Sequence, residues 1–216
     1  MNIAASGLSD IEQDALAEIA NMGVSRAASS LRQMVGEQVL LSVPAVSIVS
    51  RHTAAQLVER GNTTRLVAVQ QSFDGPFAGR ALLIFPEAQS LELVRAIMGD
   101  EHSLDDVIDL EQEALAETGN VILNGCLATI ANVLSRTMRM SLPLVIRGDG
   151  GTLFDLQGGR CNDQLVLFLY IDFTVKNRDI VGFIALLMDL PSITALKDIV
   201  HDFINGIGRQ NAGQVG

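Results

Sequence analysis

Four residues recur at one fixed interval: Asp14, Glu18, Asn21 and Pro44 are matched by Glu113, Glu117, Asn120 and Pro143, each 99 positions further on. A duplication that keeps only hydrophobic residues records shared packing. A carboxylate, an amide and a proline kept at identical spacing record two copies of a site. A later stretch also repeats, 90–100 (SLELVRAIMGD) aligning with 192–202 (SITALKDIVHD) at an offset of 102, so the second copy carries three extra residues in its middle. The chain is therefore constrained to fold as two like halves.

Each half reads as a long helix, a set of strands and a closing helix. Ser9 followed by Glu12 has the form of a capping box, and Asp109 followed by Gln112 suggests a second helix start. Leu8, Ile11, Ala15, Ile19 and Met22 fall on one apolar side of the first helix, as do Leu110, Ala114, Thr118, Val121, Gly125 and Ala128 on the second. Gly36 is a natural stop for the first helix. Strands are predicted over 39–43 and 45–49, interrupted by Pro44, and over 139–142 and 144–146, interrupted by Pro143. A proline there marks a strand end or a sheet edge, because it cannot donate to a ladder. Further strands are predicted over 66–73, 79–85, 165–173 and 180–188, a short helix over 52–60, and closing helices over 87–98 and 192–204. The segment 148–159 is glycine-rich and reads as a loop. Alternation that suits hairpins gives an α+β class: long helices packed on an antiparallel-rich sheet with internal pseudo-twofold symmetry. The expected layout is one domain over 1–204, with repeats at about 8–100 and 107–204 and a frayed tail over 205–216.

Composition narrows the function. With 48% hydrophobic residues in 216, the chain can bury a sizeable interior. No run of roughly 18 uninterrupted apolar residues and no basic stretch before an apolar segment is visible, which gives the expectation of a cytoplasmic protein with no membrane span. A formal charge of −10 without a Lys/Arg cluster argues against nucleic acid. Cys126 and Cys161, and His52, His102 and His201, have no ligand-like intervals, so no intrinsic metal is expected. Phosphate-binding loops and nucleophile elbows are also missing. Any chemistry must come from carboxylates and amides.

At about 100° per residue, positions 14, 18 and 21 fall in a sector of roughly 60°, a stripe about 90° from the apolar side. An acceptor that pairs with a cation, three residues from an amide that both donates and accepts, is suited to positioning a water. It contains no nucleophile. Such a set can assist phosphoryl hydrolysis when the substrate brings its own metal, because that reaction asks mainly for alignment and charge stabilisation. At an exposed helix position, Asn21→Ala is expected to leave the fold intact.

These residues resemble the CheC/CheX/FliY family of chemotaxis phosphatases, whose motif is Asp or Ser, three residues, Glu, two residues, Asn, twenty-two residues, Pro. The first copy, Asp14 to Pro44, fits throughout. The second fits at Glu117, Asn120 and Pro143, with Glu113 where the family has Asp or Ser. The resemblance extends over about 200 residues. It implies phosphatase activity on CheY-like receiver domains, with Asn21 and Asn120 orienting water for in-line attack on an aspartyl phosphate and Glu18 and Glu117 engaging the receiver's lysine. Asp14 and Glu113 would lie on the docking surface, Pro44 and Pro143 would be structural, and Mg²⁺ would belong to the receiver. The longer Glu113 would crowd the docking surface, so the first copy is the better match to the family's site. The family also contains members tied to a CheD deamidase partner or to the flagellar switch. The ends show no switch-binding extension, so CheC is the nearer resemblance. A non-catalytic adaptor for a receiver or a CheD-like protein is the alternative reading.

Overall fold

The computed structural model describes residues 8–36, 38–59, 65–98, 104–156, 165–175 and 178–212. Helix α1 (Asp10–Val35) opens on a complete capping box: the Ser9 hydroxyl accepts from the Glu12 N–H at 3.3 Å, and the Glu12 carboxylate accepts from the Ser9 N–H at 2.8 Å. It closes on Gly36 at φ 71°, a left-handed conformation that glycine adopts without penalty. Strand β1 (Val39–Ser50), helix α2 (Arg51–Val58) and the hairpin β2 (Leu66–Asp74) and β3 (Gly79–Pro86) follow, then helix α3 (Glu87–Met98). The second half comprises α4 (Leu104–Val133), β4 (Arg139–Met140), β5 (Leu144–Gly148), α5 (Gly150–Leu153), the hairpin β6 (Leu165–Val175) and β7 (Arg178–Met188), and α6 (Leu190–Ala212).

The described strands form one sheet in the order β1-β6-β7-β3-β2-β4, with β5 also on β2, and every pairing is antiparallel. A pseudo-twofold axis therefore runs between β3 and β7. Each half's leading strand lies outside the other half's hairpin: β1 pairs with β6, while β4 and β5 pair with β2. The halves are interleaved. Alternate residues of the central strands enter two cores. Val67, Val69, Leu83, Leu169 and Ile184 face the layer of α1, α3, α4 and α6, whereas Ala68, Leu82, Phe168 and Ala185 face a smaller core under α2 and α5. Burial on both faces explains the near-continuous apolar runs of β3 and β7.

Several sequence expectations are corrected. Helix α4 begins at Leu104, so Asp109 lies inside it. The stretch 104–110 holds helical period without a breaker, and acidic residues suit a first turn. The expected loop over 148–159 contains the single turn α5, and 157–159 lie outside the described residues. Asp149 accepts from the Thr152 N–H at 2.7 Å, as Ser50 accepts from the Thr53 N–H at 3.1 Å at the start of α2, 99 positions earlier. The copies thus keep a cap that glycine content conceals. Helix α6 continues to Ala212, past the expected tail boundary at 204; Gly206 and Gly208 weaken a helix by about 1 kcal/mol each without ending it. The buried side of α1 is Leu16, Ile19, Ala20, Val24, Ala27 and Leu31, leaving Ile11 and Met22 exposed; on α4 it is Leu115, Thr118, Ile122, Cys126 and Ile130, leaving Leu110 exposed. Both helices have more than one apolar stripe, and periodicity alone does not choose between them. The stretch Leu110–Val133 has the length and composition of a membrane span, but 56% of it is buried within the fold, as a core helix.

Candidate functional site

Helices α1 and α4 pack against each other at very short range. A Cβ on Gly23 would lie 2.7 Å from Cys126 Cα, and one on Gly125 would lie 2.9 Å from Ala27 Cβ. This crossing fixes the shoulders that carry the repeated residues. Asp14, Glu18, Glu113 and Glu117 are all exposed, and among the described residues none has a hydrogen-bond or ion-pair partner. Asn21 and Asn120 are half-buried. One residue type escaped the sequence reading: Ile11 and Leu110, also 99 apart, are exposed apolar residues one turn before Asp14 and Glu113, at 66% and 44%. Each helix thus presents an apolar group, two carboxylates and an amide in succession.

The spacing from Asn21 to Pro44 has a direct structural cause. The ladder between β1 and β6 shifts register between the Ser42–Asp172 and Ala45–Tyr170 pairs, so Val43 and Pro44 fall in a bulge on an edge strand. Pro44 has no N–H to donate. Asn21 takes the place of a partner strand: its Nδ2 donates to the Val43 carbonyl at 3.0 Å and its Oδ1 accepts from the Val43 N–H at 2.7 Å. One N–H and one lone pair of the amide remain. An edge position for proline is what the sequence predicts, but the bridge from Asn21 is not visible in it.

The second copy is built differently. Its proline loop, Ser141 to Pro143, separates β4 from β5, and Leu142, the counterpart of Val43, is 88% exposed and receives nothing from Asn120. Instead, Asn120 Oδ1 accepts from Gln71 Nε2 at 3.0 Å and from Asn124 Nδ2 at 2.7 Å. Gln71 Nε2 also donates to the Ser141 carbonyl at 3.0 Å, while the Ser141 hydroxyl accepts from the Ser72 N–H at 2.9 Å. No described residue engages Asn120 Nδ2. Gly119 permits this arrangement, since a Cβ there would lie 2.5 Å from Val69 Cβ on the strand that carries Gln71. The first copy has Ala20 at the corresponding position. Gln71 lies in a strand whose inward neighbours are Val67, Val69 and Phe73, so a polar residue on the buried parity of β2 was the available clue.

Both copies therefore offer an exposed carboxylate one turn before a constrained amide. Cys126, at the helix crossing, is fully buried, and desolvation pushes its thiol up to about 12, so it supplies no nucleophile at neutral pH. Among the described residues no three His, Cys, Asp or Glu side chains converge as a metal site would require. The chemistry available is alignment of water and recognition of a cation.

A family model described as chemotaxis phosphatase CheX matches residues 67–161, and one described as CheC-like family matches residues 11–48. The two matches enclose the second and the first copy of the motif respectively. The flagellar motor switch phosphatase FliY of Bacillus subtilis (strain 168) is 21% identical over 203 residues, 92% of this chain and 50% of that protein. The CheY-P phosphatase CheC of the same organism is 22% identical over 143 residues, 65% of this chain and 68% of that protein. The match to FliY thus covers more of the chain than the match to CheC does. The chain spans about half the length of that FliY relative. Among solved structures, Thermotoga maritima FliY superposes with a TM-score of 0.72 at 15% identity, covering 91% of this chain and 98% of that one, which establishes a shared fold.

Proposed function

We propose that this chain is a member of the CheC/CheX/FliY family that accelerates hydrolysis of the aspartyl phosphate of a CheY-like receiver domain in the cytoplasm. The observation that carries the reading is the duplicated set itself, an exposed carboxylate three residues before a half-buried, hydrogen-bonded asparagine. In this reading Glu18 and Glu117 pair with the receiver's lysine, and Asn21 and Asn120 hold a water in line with the phosphorus. The water oxygen bonds to phosphorus, the bond from phosphorus to the aspartate oxygen breaks, and the carboxylate leaves as inorganic phosphate takes up the water's remaining protons. The receiver brings its own Mg²⁺, so the chain contributes position and charge. Ile11 and Leu110, beside Asp14 and Glu113, give the docking face an apolar margin.

The test follows the decay of a phosphorylated CheY-type receiver with and without the protein. Each of Asn21→Ala and Asn120→Ala should lower the rate, and the double variant should lose about 10²-fold or more, the scale of losing a group that acts only in the transition state. Glu18→Ala with Glu117→Ala should weaken receiver binding. Full activity in the double asparagine variant, with native helicity, would overturn the reading. Binding without faster decay would instead make the chain an adaptor for a receiver or for a CheD-like deamidase.

A further inference from the structure

We infer that Gln71 is a positioning residue for Asn120 and that, with Asn124, it makes the second copy the faster of two unequal sites; this rests on the phosphatase reading above. Gln71 is 1% exposed, in a layer otherwise made of Val67, Val69 and Phe73. Its amide nitrogen joins Asn120 on α4 to the Ser141 carbonyl of the proline loop, so one side chain ties helix, sheet and loop together. Both lone pairs of Asn120 Oδ1 are filled, by Gln71 and by Asn124. The amide is thereby oriented with both N–H groups of Nδ2 uncommitted.

A water that accepts one of these N–H groups keeps its other lone pair for phosphorus. The two incoming donors also polarise the amide and strengthen that N–H. At Asn21 one N–H is already spent on the Val43 carbonyl, and reaching outward would strip a buried bulge of both its partners. Gln71 Oε1 and Asn124 Oδ1 are buried and find no hydrogen-bond partner among the described residues. A polar cluster kept under that penalty calls for an explanation, and orienting Asn120 supplies one.

The first copy has no such device. Val46 pairs with Leu169 as Val145 pairs with Val69, which makes Ile171 the counterpart of Gln71; it is buried and cannot donate. The counterpart of Asn124 is Ser25, which is exposed. Glu113, where the family has Asp or Ser, is exposed and leaves the amide untouched.

The experiment measures receiver-phosphate decay on an Asn21→Ala background, where the second site acts alone, and separates kcat from KM. Gln71→Met, close in size and without a donor, should lower kcat about tenfold with KM within about twofold, and Asn124→Ala should act in the same direction. The effect should vanish once Asn120 is also alanine, as coupled residues require. In otherwise wild-type protein, Asn120→Ala should cost more activity than Asn21→Ala. A fall confined to KM, a fall that persists without Asn120, or a larger loss from Asn21→Ala overturns the inference. Should Gln71→Met fail to fold, Asn124→Ala carries the same comparison. A readout independent of activity is the pair of side-chain amide signals of Asn120 in a ¹H–¹⁵N spectrum. Gln71→Met or Asn124→Ala should move them more than any other side-chain amide, and unmoved signals overturn the inference. If the wild-type chain leaves decay unchanged, the phosphatase reading falls by itself, while the spectrum still decides whether Gln71 and Asn124 hold Asn120.

Discussion

Asn21 has two duties in this structure, and the second was hidden in the sequence. As an exposed helix residue it would be replaced by alanine at no loss, but its amide hydrogen-bonds both backbone groups of Val43, a residue only 1% exposed. An orphaned buried backbone group costs about 1–3 kcal/mol. Asn21→Ala should therefore lower unfolding stability in urea by about that amount, and by more than Asn120→Ala, whose neighbour Gln71 retains the Ser141 carbonyl. Equal midpoints for the two variants would contradict this assignment. The identity of the repeated residues and their intervals were readable from the chain, because polar types kept at fixed spacing stand out against changing apolar neighbours. What the interval was for could not be read, since it depends on a bulge that exists only once β1 has paired with β6.

At the scale of elements, glycines decide how closely α4 approaches its neighbours, and Gly23 and Gly119 do so with different consequences. Gly23 faces the α4 backbone at Cys126, whereas Gly119 faces the stiff Val69 side chain beside Gln71. A methyl at either position overpacks a tight contact, at about 1–3 kcal/mol. Gly23→Ala should therefore reduce stability. Gly119→Ala should reduce stability and also second-site activity, because pushing α4 off β2 lengthens the bond from Gln71 to Asn120. Thermal melts together with decay rates on the Asn21→Ala background distinguish the two effects. The elements were largely legible: α3 begins and ends where periodicity placed it, and both hairpins lie where the apolar runs were read. The misses have local causes. Helix α4 starts five residues early because 104–110 contains no breaker, and α5 is a single turn held by the Asp149 cap in a glycine-rich stretch. The apolar stripes of α1 and α4 were misassigned because each helix packs on a sheet and on the other helix at once.

For the molecule as a whole, three acidic caps set a shared response to acid. Glu12 is held below its ordinary 4.5 by the Ser9 N–H it accepts, Asp149 below 3.8 by Thr152, and Asp189 below 3.8 by Ser192. Depressed carboxylates contribute stability that is fully present above their unfolded values and is lost as pH falls through the lower folded ones. Urea midpoints should thus hold steady at neutral pH and fall on acidification below about 4.5. Ser9→Ala should reduce stability at pH 7 by about 1 kcal/mol, whereas Glu12→Gln, which keeps an acceptor for the Ser9 N–H but does not titrate, should flatten the fall attributable to Glu12. The exchanged leading strands have a wider consequence. Asn120 belongs to the second half, but the glutamine that aims it is on β2 of the first. Two identical half-length subunits assembled the same way would place every substitution in both sites at once, so neither could gain a glutamine without the other. Joining the halves in one polypeptide lifts that restriction: Gln71 and Ile171 can differ, and a single chain can keep one site tethered to its edge strand while the other is tuned separately for turnover.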